Sequence, residues 1–184
     1  WLNENGWTFI DYTHHQDLVS RVKTVGVILR DPIQRFCTGF TQYFVSYIVS
    51  PPWHDNNIPL NIEDVEKYWP VIERLMTDVG ILFDDHTMPQ YYFYESFLPN
   101  VDREYFYCND ALEQTLLKHF KLNTATTKAE QDANITAVKT DPMPRHVSKL
   151  VKQSVEKPHI KNRLMQMLQK DYQKINSTQF IRYK

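Results

Sequence analysis

The stretch Leu29-Arg30-Asp31-Pro32-Ile33-Gln34-Arg35-Phe36-Cys37-Thr38 places a guanidinium at the end of an apolar run and a hydroxyl eight residues later. A guanidinium can fork onto a phosphate through paired hydrogen bonds, and a hydroxyl two helical turns on can add another donor. The end of a parallel strand is also where α/β proteins bind ligands. The same residues admit a second reading, in which Asp31 and Arg35 form a local ion pair and no ligand is involved. Histidine is the side chain suited to taking a proton near neutral pH, and His14, His15 and His86 all stand in polar stretches beside apolar ones. Neighbours on a strand point to opposite faces, so His14 and His15 do not form a metal pair. The four glycines make neither a G-x-x-x-x-G-K-[ST] loop nor a G-x-G-x-x-G turn, and C-x-x-C spacings are missing.

The elements that must position these groups follow from pattern. Val25 to Leu29 is a short, continuously apolar run, as expected of a strand buried on both faces of a parallel sheet. Pro32 suits the first turn of a helix, which should run from about Gln34 to Ile48 with Phe36, Phe40, Tyr43, Phe44 and Tyr47 along one side. A loop follows at 50–59. Asn61 is a natural N-cap for a helix expected to carry Val65, Tyr68, Trp69, Ile72, Leu75, Met76 and Val79 inward, which Pro70 should kink and Gly80 should stop. The segment 80–98 carries two apolar runs around a polar turn, read as two strands, with Tyr91, Tyr92 and Tyr94 alternating. Ala111 to Phe120 reads as an amphipathic helix, 123–144 as a long loop, and 145–176 as two helices parted at Pro158. Strands alternating with helices imply a three-layer α/β fold in one domain spanning 1–184.

Composition sets the bounds. The chain has 184 residues, 42% hydrophobic and 14% aromatic, which suits a folded domain and not a disordered one. No apolar run reaches the roughly 20 residues of a membrane span. The net charge of −1 hides a polarity: between Asp55 and Glu113 acidic residues outnumber basic ones thirteen to three, and from Lys139 onward basic residues lead eleven to three. That basic end suits an anionic ligand, or equally a solvated helix pair. Two cysteines make no disulfide framework. Low cysteine content and the lack of an anchor lean toward a soluble intracellular protein.

The string "LRDPIQRFCTGF" resembles the 3′-phosphate-binding segment of sulfotransferases that use 3′-phosphoadenosine 5′-phosphosulfate, especially the carbohydrate branch that includes the heparan sulfate O-sulfotransferases. "FIDYTHHQDL" is similar to the family segment in which a strand ends in a catalytic histidine, "DDHTMPQYYF" to its His-x-x-Pro-Gln stretch, and "MLQKDYQKI" to its last helix. The resemblance implies a P-loop-NTPase-like fold with a central parallel sheet flanked by helices, and in-line transfer of a sulfuryl group to a hydroxyl. It implies that Arg30 and Thr38 bind the cofactor, with Thr38 standing where the family has serine. His15, in a His-x-Asp setting, is the implied base and His14 its alternative. His86 and Gln90 either contact the acceptor or order its pocket, and the basic end offers Arg145, Lys149 and Lys152 as the nearest candidates to line an acceptor or cofactor groove. No metal and no nucleic acid are expected. The acceptor would be a polysaccharide, a glycolipid or another hydroxylated molecule.

The family's first strand and its phosphosulfate loop have no counterpart after Trp1, so an upstream segment is expected, and a Golgi lumenal setting would follow if it carried an anchor. Two rivals stand beside the enzyme: a non-catalytic module of the same fold that binds an anionic glycan or nucleotide, and a P-loop kinase-type phosphotransferase. The upstream sequence would separate them, since a kinase needs a G-K-[ST] loop there and a sulfotransferase needs a lysine followed by small and hydroxyl residues.

Overall fold

A computed structural model describes residues 23–49, 60–77, 87–96, 101–121 and 142–182. These form a mixed α/β structure, mostly helical, with a two-stranded parallel sheet flanked by helices. Strand β1 (Thr24–Leu29) pairs in register with β2 (Asp102–Tyr107), from Thr24 opposite Asp102 to Leu29 opposite Tyr107. Between the strands lie α1 (Pro32–Tyr43), a π-helical continuation (Phe44–Val49), α2 (Ile62–Leu75) and α3 (Gln90–Ser96). After β2 come α4 (Leu112–Phe120), α5 (Pro142–Val155), α6 (Pro158–Met167) and α7 (Gln169–Ser177).

Helix α1 starts where the sequence directs it. Asp31 is its N-cap, Oδ1 accepting the Gln34 N–H at 2.8 Å, and Pro32 fills the first position, where no N–H partner is needed. Asp31 is thus a cap and not the ion-pair partner of Arg35. Helix α2 opens with a reciprocal capping box: Asn61 Oδ1 accepts from Asp64 N–H at 2.8 Å while the Asp64 carboxylate accepts from Asn61 N–H. It continues through Pro70, ends at Leu75 instead of Gly80, and leaves the Glu66 carbonyl without its usual helical donor.

The core lies between helices more than on the sheet. Phe36, Phe40 and Phe44 stack in sequence along α1 and its continuation, with centroids 5.8 and 6.3 Å apart, and Phe44 meets Trp69 of α2 edge-on at 6.1 Å. Val147 and Val151 of α5, with Ile160 and Leu164 of α6, close the cluster. Each such side chain contributes roughly 1.5–3 kcal/mol of burial. One polar link crosses it: the Trp69 indole donates to Ser154 Oγ at 2.9 Å, and Ser154 is 1% exposed.

Three expectations are corrected. β1 is not buried on both faces: exposed and half-buried residues alternate along it, Ile28 is 49% exposed, and only Leu29 is buried. The tyrosine-rich segment is a helix, α3, while the strand lies further on at β2, where Asp102-Arg103-Glu104 hides the pattern. The C-terminal stretch is three helices, not two, and the first begins at Pro142, inside the expected loop. Gly26 allows the sheet to meet α4 closely, since a Cβ there would come within 3.3 Å of the Phe106 ring and 3.5 Å of the Phe120 ring. The segment after α7 turns back along β2, with Ile181 N–H donating to the Tyr105 carbonyl at 2.9 Å and Phe180 packing edge-on against Tyr107. Among the described residues no helix is long and apolar enough to cross a membrane.

Candidate functional site

Arg30 is the first residue past β1, and Thr38 projects from α1 two turns into the helix. Both line one open groove of about 910 Å³ between α1 and α5. Gln34 and Gln42 add amides from α1, and Ser148 and Lys152 face them from α5. Two cations, Arg30 and Lys152, therefore reach one groove from separate elements. Among the described residues no ion pair occupies the Arg30 guanidinium. The Glu156 carboxylate at the groove's edge lies 3.5 Å from Lys161. Thr38 Oγ1 donates to its own helix, to the Gln34 carbonyl at 3.0 Å, so it must leave that bond to serve a ligand.

Cys37 also lines this groove, as a buried thiol. Burial pushes its thiol up to about 11, although both Lys152 and Arg30 pull the other way. Beside the main groove lies a second hollow of about 800 Å³, lined by Arg145, His146 and Lys149, which shares Ser148, Lys152 and Gln153 with the first. The basic face of α5 thus runs along both.

Gln90 lies against the backbone of Arg30 and lines a smaller hollow of about 340 Å³ along β1. It is 7% exposed, and it closes a two-bond ring on the backbone of Arg30: Oε1 accepts the Arg30 N–H at 2.9 Å and Nε2 donates to the Arg30 carbonyl at 2.8 Å. It does not line the main groove. Arg145 lines the second hollow and not the first. His14, His15 and His86 lie outside the described residues. The structure therefore brings Arg30, Thr38 and Lys152 together and sets Gln90 behind them.

Among the described histidines, His119 sits 2.7 Å from Glu104 with its ring edge-on to Phe106, and His146 lies 3.3 Å from Glu66. Neither lines the main groove. No group of three or more His, Cys, Asp or Glu side chains that could hold a metal occurs among the described residues.

Asp171 stands in the stretch "MLQKDYQKI", likened above to the family's last helix, but its part in the site was not read from the sequence. It is 2% exposed on α7, and its two carboxylate oxygens accept the first two N–H groups of α3, Gln90 at 2.8 Å and Tyr91 at 2.9 Å. Burial raises its pKa, opposed by those two N–H donors and by Arg35. A signal was present: Ile160, Leu164, Leu168 and Asp171 follow one helical stripe, and an acid on an apolar stripe implies a buried partner. Compared with family models, with curated proteins and with solved structures, the chain matches none.

Proposed function

We propose that the chain belongs to a sulfotransferase that moves a sulfuryl group from 3′-phosphoadenosine 5′-phosphosulfate to a hydroxyl of a carbohydrate or similar acceptor. The observation that carries this reading is the meeting of Arg30, at the C-terminal end of a parallel strand, with Thr38, on the next helix, in one groove. That pairing suits an anion held by a fork and a hydroxyl. The finer architecture proposed is the three-layer, P-loop-NTPase-like sheet, to which the parallel β1–β2 pair is compatible in sense.

In this reading Arg30 and Thr38 hold the 3′-phosphate, and Lys152 adds charge across the groove. The acceptor oxygen attacks sulfur in line, the bond from sulfur to the 5′-phosphate oxygen breaks, and 3′-phosphoadenosine 5′-phosphate departs. His15 takes the acceptor's proton, with His14 the alternative, and His86 and Arg145 face the acceptor. General-base help of this kind is typically worth about 10²–10⁴ in rate.

The test is thermal stabilisation by 3′-phosphoadenosine 5′-phosphate against adenosine monophosphate, followed by a transfer assay on a longer chain. A ligand at 100 times its dissociation constant stabilises by about 2.7 kcal/mol. The expected result is a clear rise with the 3′-phosphorylated nucleotide and a smaller one with adenosine monophosphate. Equal responses, or none, would remove the cofactor assignment. Stabilisation without transfer would favour the binding module.

A further inference from the structure

The site that holds Arg30 is built from behind, and its deepest member is Asp171. The β1–β2 ladder ends beside this point, the last bond running from Cys108 N–H to the Leu29 carbonyl at 2.7 Å. Beyond it, both backbone groups of Arg30 are taken by the Gln90 side chain, at 2.9 and 2.8 Å. Gln90 can do this only if α3 starts where it does. That start is fixed by the Asp171 carboxylate, which accepts the Gln90 and Tyr91 N–H groups at 2.8 and 2.9 Å. Arg35 holds the same segment from α1, its Nη1 donating to the Met88 carbonyl and its guanidinium lying 5.3 Å from the centre of the Phe93 ring.

Asp171, Gln90 and the backbone of Arg30 are therefore joined by three hydrogen bonds running from α7 to the lip of the groove, with the Tyr91 N–H bond a fourth at the Asp171 end. Asp171 and Gln90 are 2% and 7% exposed, so water offers little substitute for a lost bond. A guanidinium is a directional donor, and a shift at its backbone is carried to the fork at its tip.

We propose that Asp171, acting through Gln90, is the positioning residue that sets the backbone of Arg30 and so aims its guanidinium into the groove. The inference rests on the anion-binding reading above for its functional half, while the backbone clamp stands on geometry alone.

The experiment has two arms. In the first, amide hydrogen exchange is followed at Arg30, whose N–H is bonded to a side chain and so reports on Gln90 directly. Asp171→Asn keeps one acceptor oxygen and loses the other, and Gln90→Ala removes the clamp while leaving the cap on α3. Exchange at Arg30 should quicken by at least about tenfold in either variant while the amides of Phe40 and Val151 keep their protection. In the second arm, calorimetric titration should show binding of 3′-phosphoadenosine 5′-phosphate weakened about tenfold and that of adenosine monophosphate unchanged within about twofold. If Asp171→Asn does not fold, Gln90→Ala carries both arms. Unaltered exchange at Arg30 would overturn the clamp. Equal weakening of both nucleotides would show a general structural role and overturn the positioning claim. If the unaltered protein binds neither nucleotide, the cofactor reading fails, and the exchange arm still decides whether the clamp exists.

Discussion

Replacing Arg30 by alanine should weaken binding of 3′-phosphoadenosine 5′-phosphate while sparing adenosine monophosphate, which lacks the group the guanidinium is meant to hold. Among the described residues no ion pair has to be broken for Arg30 to reach a ligand, so its contribution should approach that of a hydrogen bond to a charged group. That is about 1.5–3 kcal/mol, or roughly 10- to 150-fold in dissociation constant. Thr38 should matter less, for a reason visible in the structure. Its hydroxyl already donates to the Gln34 carbonyl at 3.0 Å, so binding exchanges one bond for another. Thr38→Val should therefore cost only about 0.5–1.5 kcal/mol, roughly 2- to 12-fold. Calorimetric titration of both variants with both nucleotides measures the two ratios. A loss shared equally by the two nucleotides, or a Thr38 effect larger than that of Arg30, would refute the reasoning.

Ser154→Ala leaves the buried Trp69 indole without its acceptor and should cost about 1–3 kcal/mol, a fall of roughly 2–12 °C in melting midpoint for a chain of this size; a fall of under about 1 °C in calorimetry would mean that the indole finds another partner. A maleimide should label exposed Cys108 in the native protein at pH 8 and spare Cys37, whose pKa of about 11 leaves roughly one thiol in a thousand ionised; mass mapping that finds both modified at similar rates would overturn the burial argument.

What could be read from the sequence was what local chemistry fixes. Asp31 and Pro32 announce the start of α1, and Asn61 with Asp64 announces α2, because a cap is satisfied within three residues. The stripe Phe36-Phe40-Phe44 gave the core face of α1. The failures share a non-local cause. Helix α3 has its first N–H groups satisfied by Asp171, eighty residues away, and nothing within the tyrosine-rich segment reveals that partner. β2 opens with three charged residues, which breaks the apolar run by which strands are recognised. At the site, Arg30 and Thr38 were legible because strand end and helix are adjacent in the chain, whereas Lys152 was legible only as one of the basic residues after the long loop, its place opposite them being set by tertiary packing. For Gln90 two roles stayed open, contact to a ligand or ordering of the pocket, because an amide's pattern of donors and acceptors does not say whether its partner is backbone or substrate.

The π-helical turn at Phe44–Val49 changes how this part of the chain can vary in length. Phe36, Phe40 and Phe44 follow one another at intervals of four, and the next buried residue, Val49, comes after five. The wide turn thus absorbs one residue more than an α-helix would and still returns Val49 to the core, where its carbonyl accepts the Leu60 N–H at 3.3 Å. The surplus residue is taken up along the run that gives Val45 and Ser46 to the wall of the groove. Removing one residue here would tighten the turn to α-helical spacing and keep the apolar stripe in phase, while rotating a different pair of side chains onto that wall. A change of length here would therefore retune the groove and leave the core residue in place.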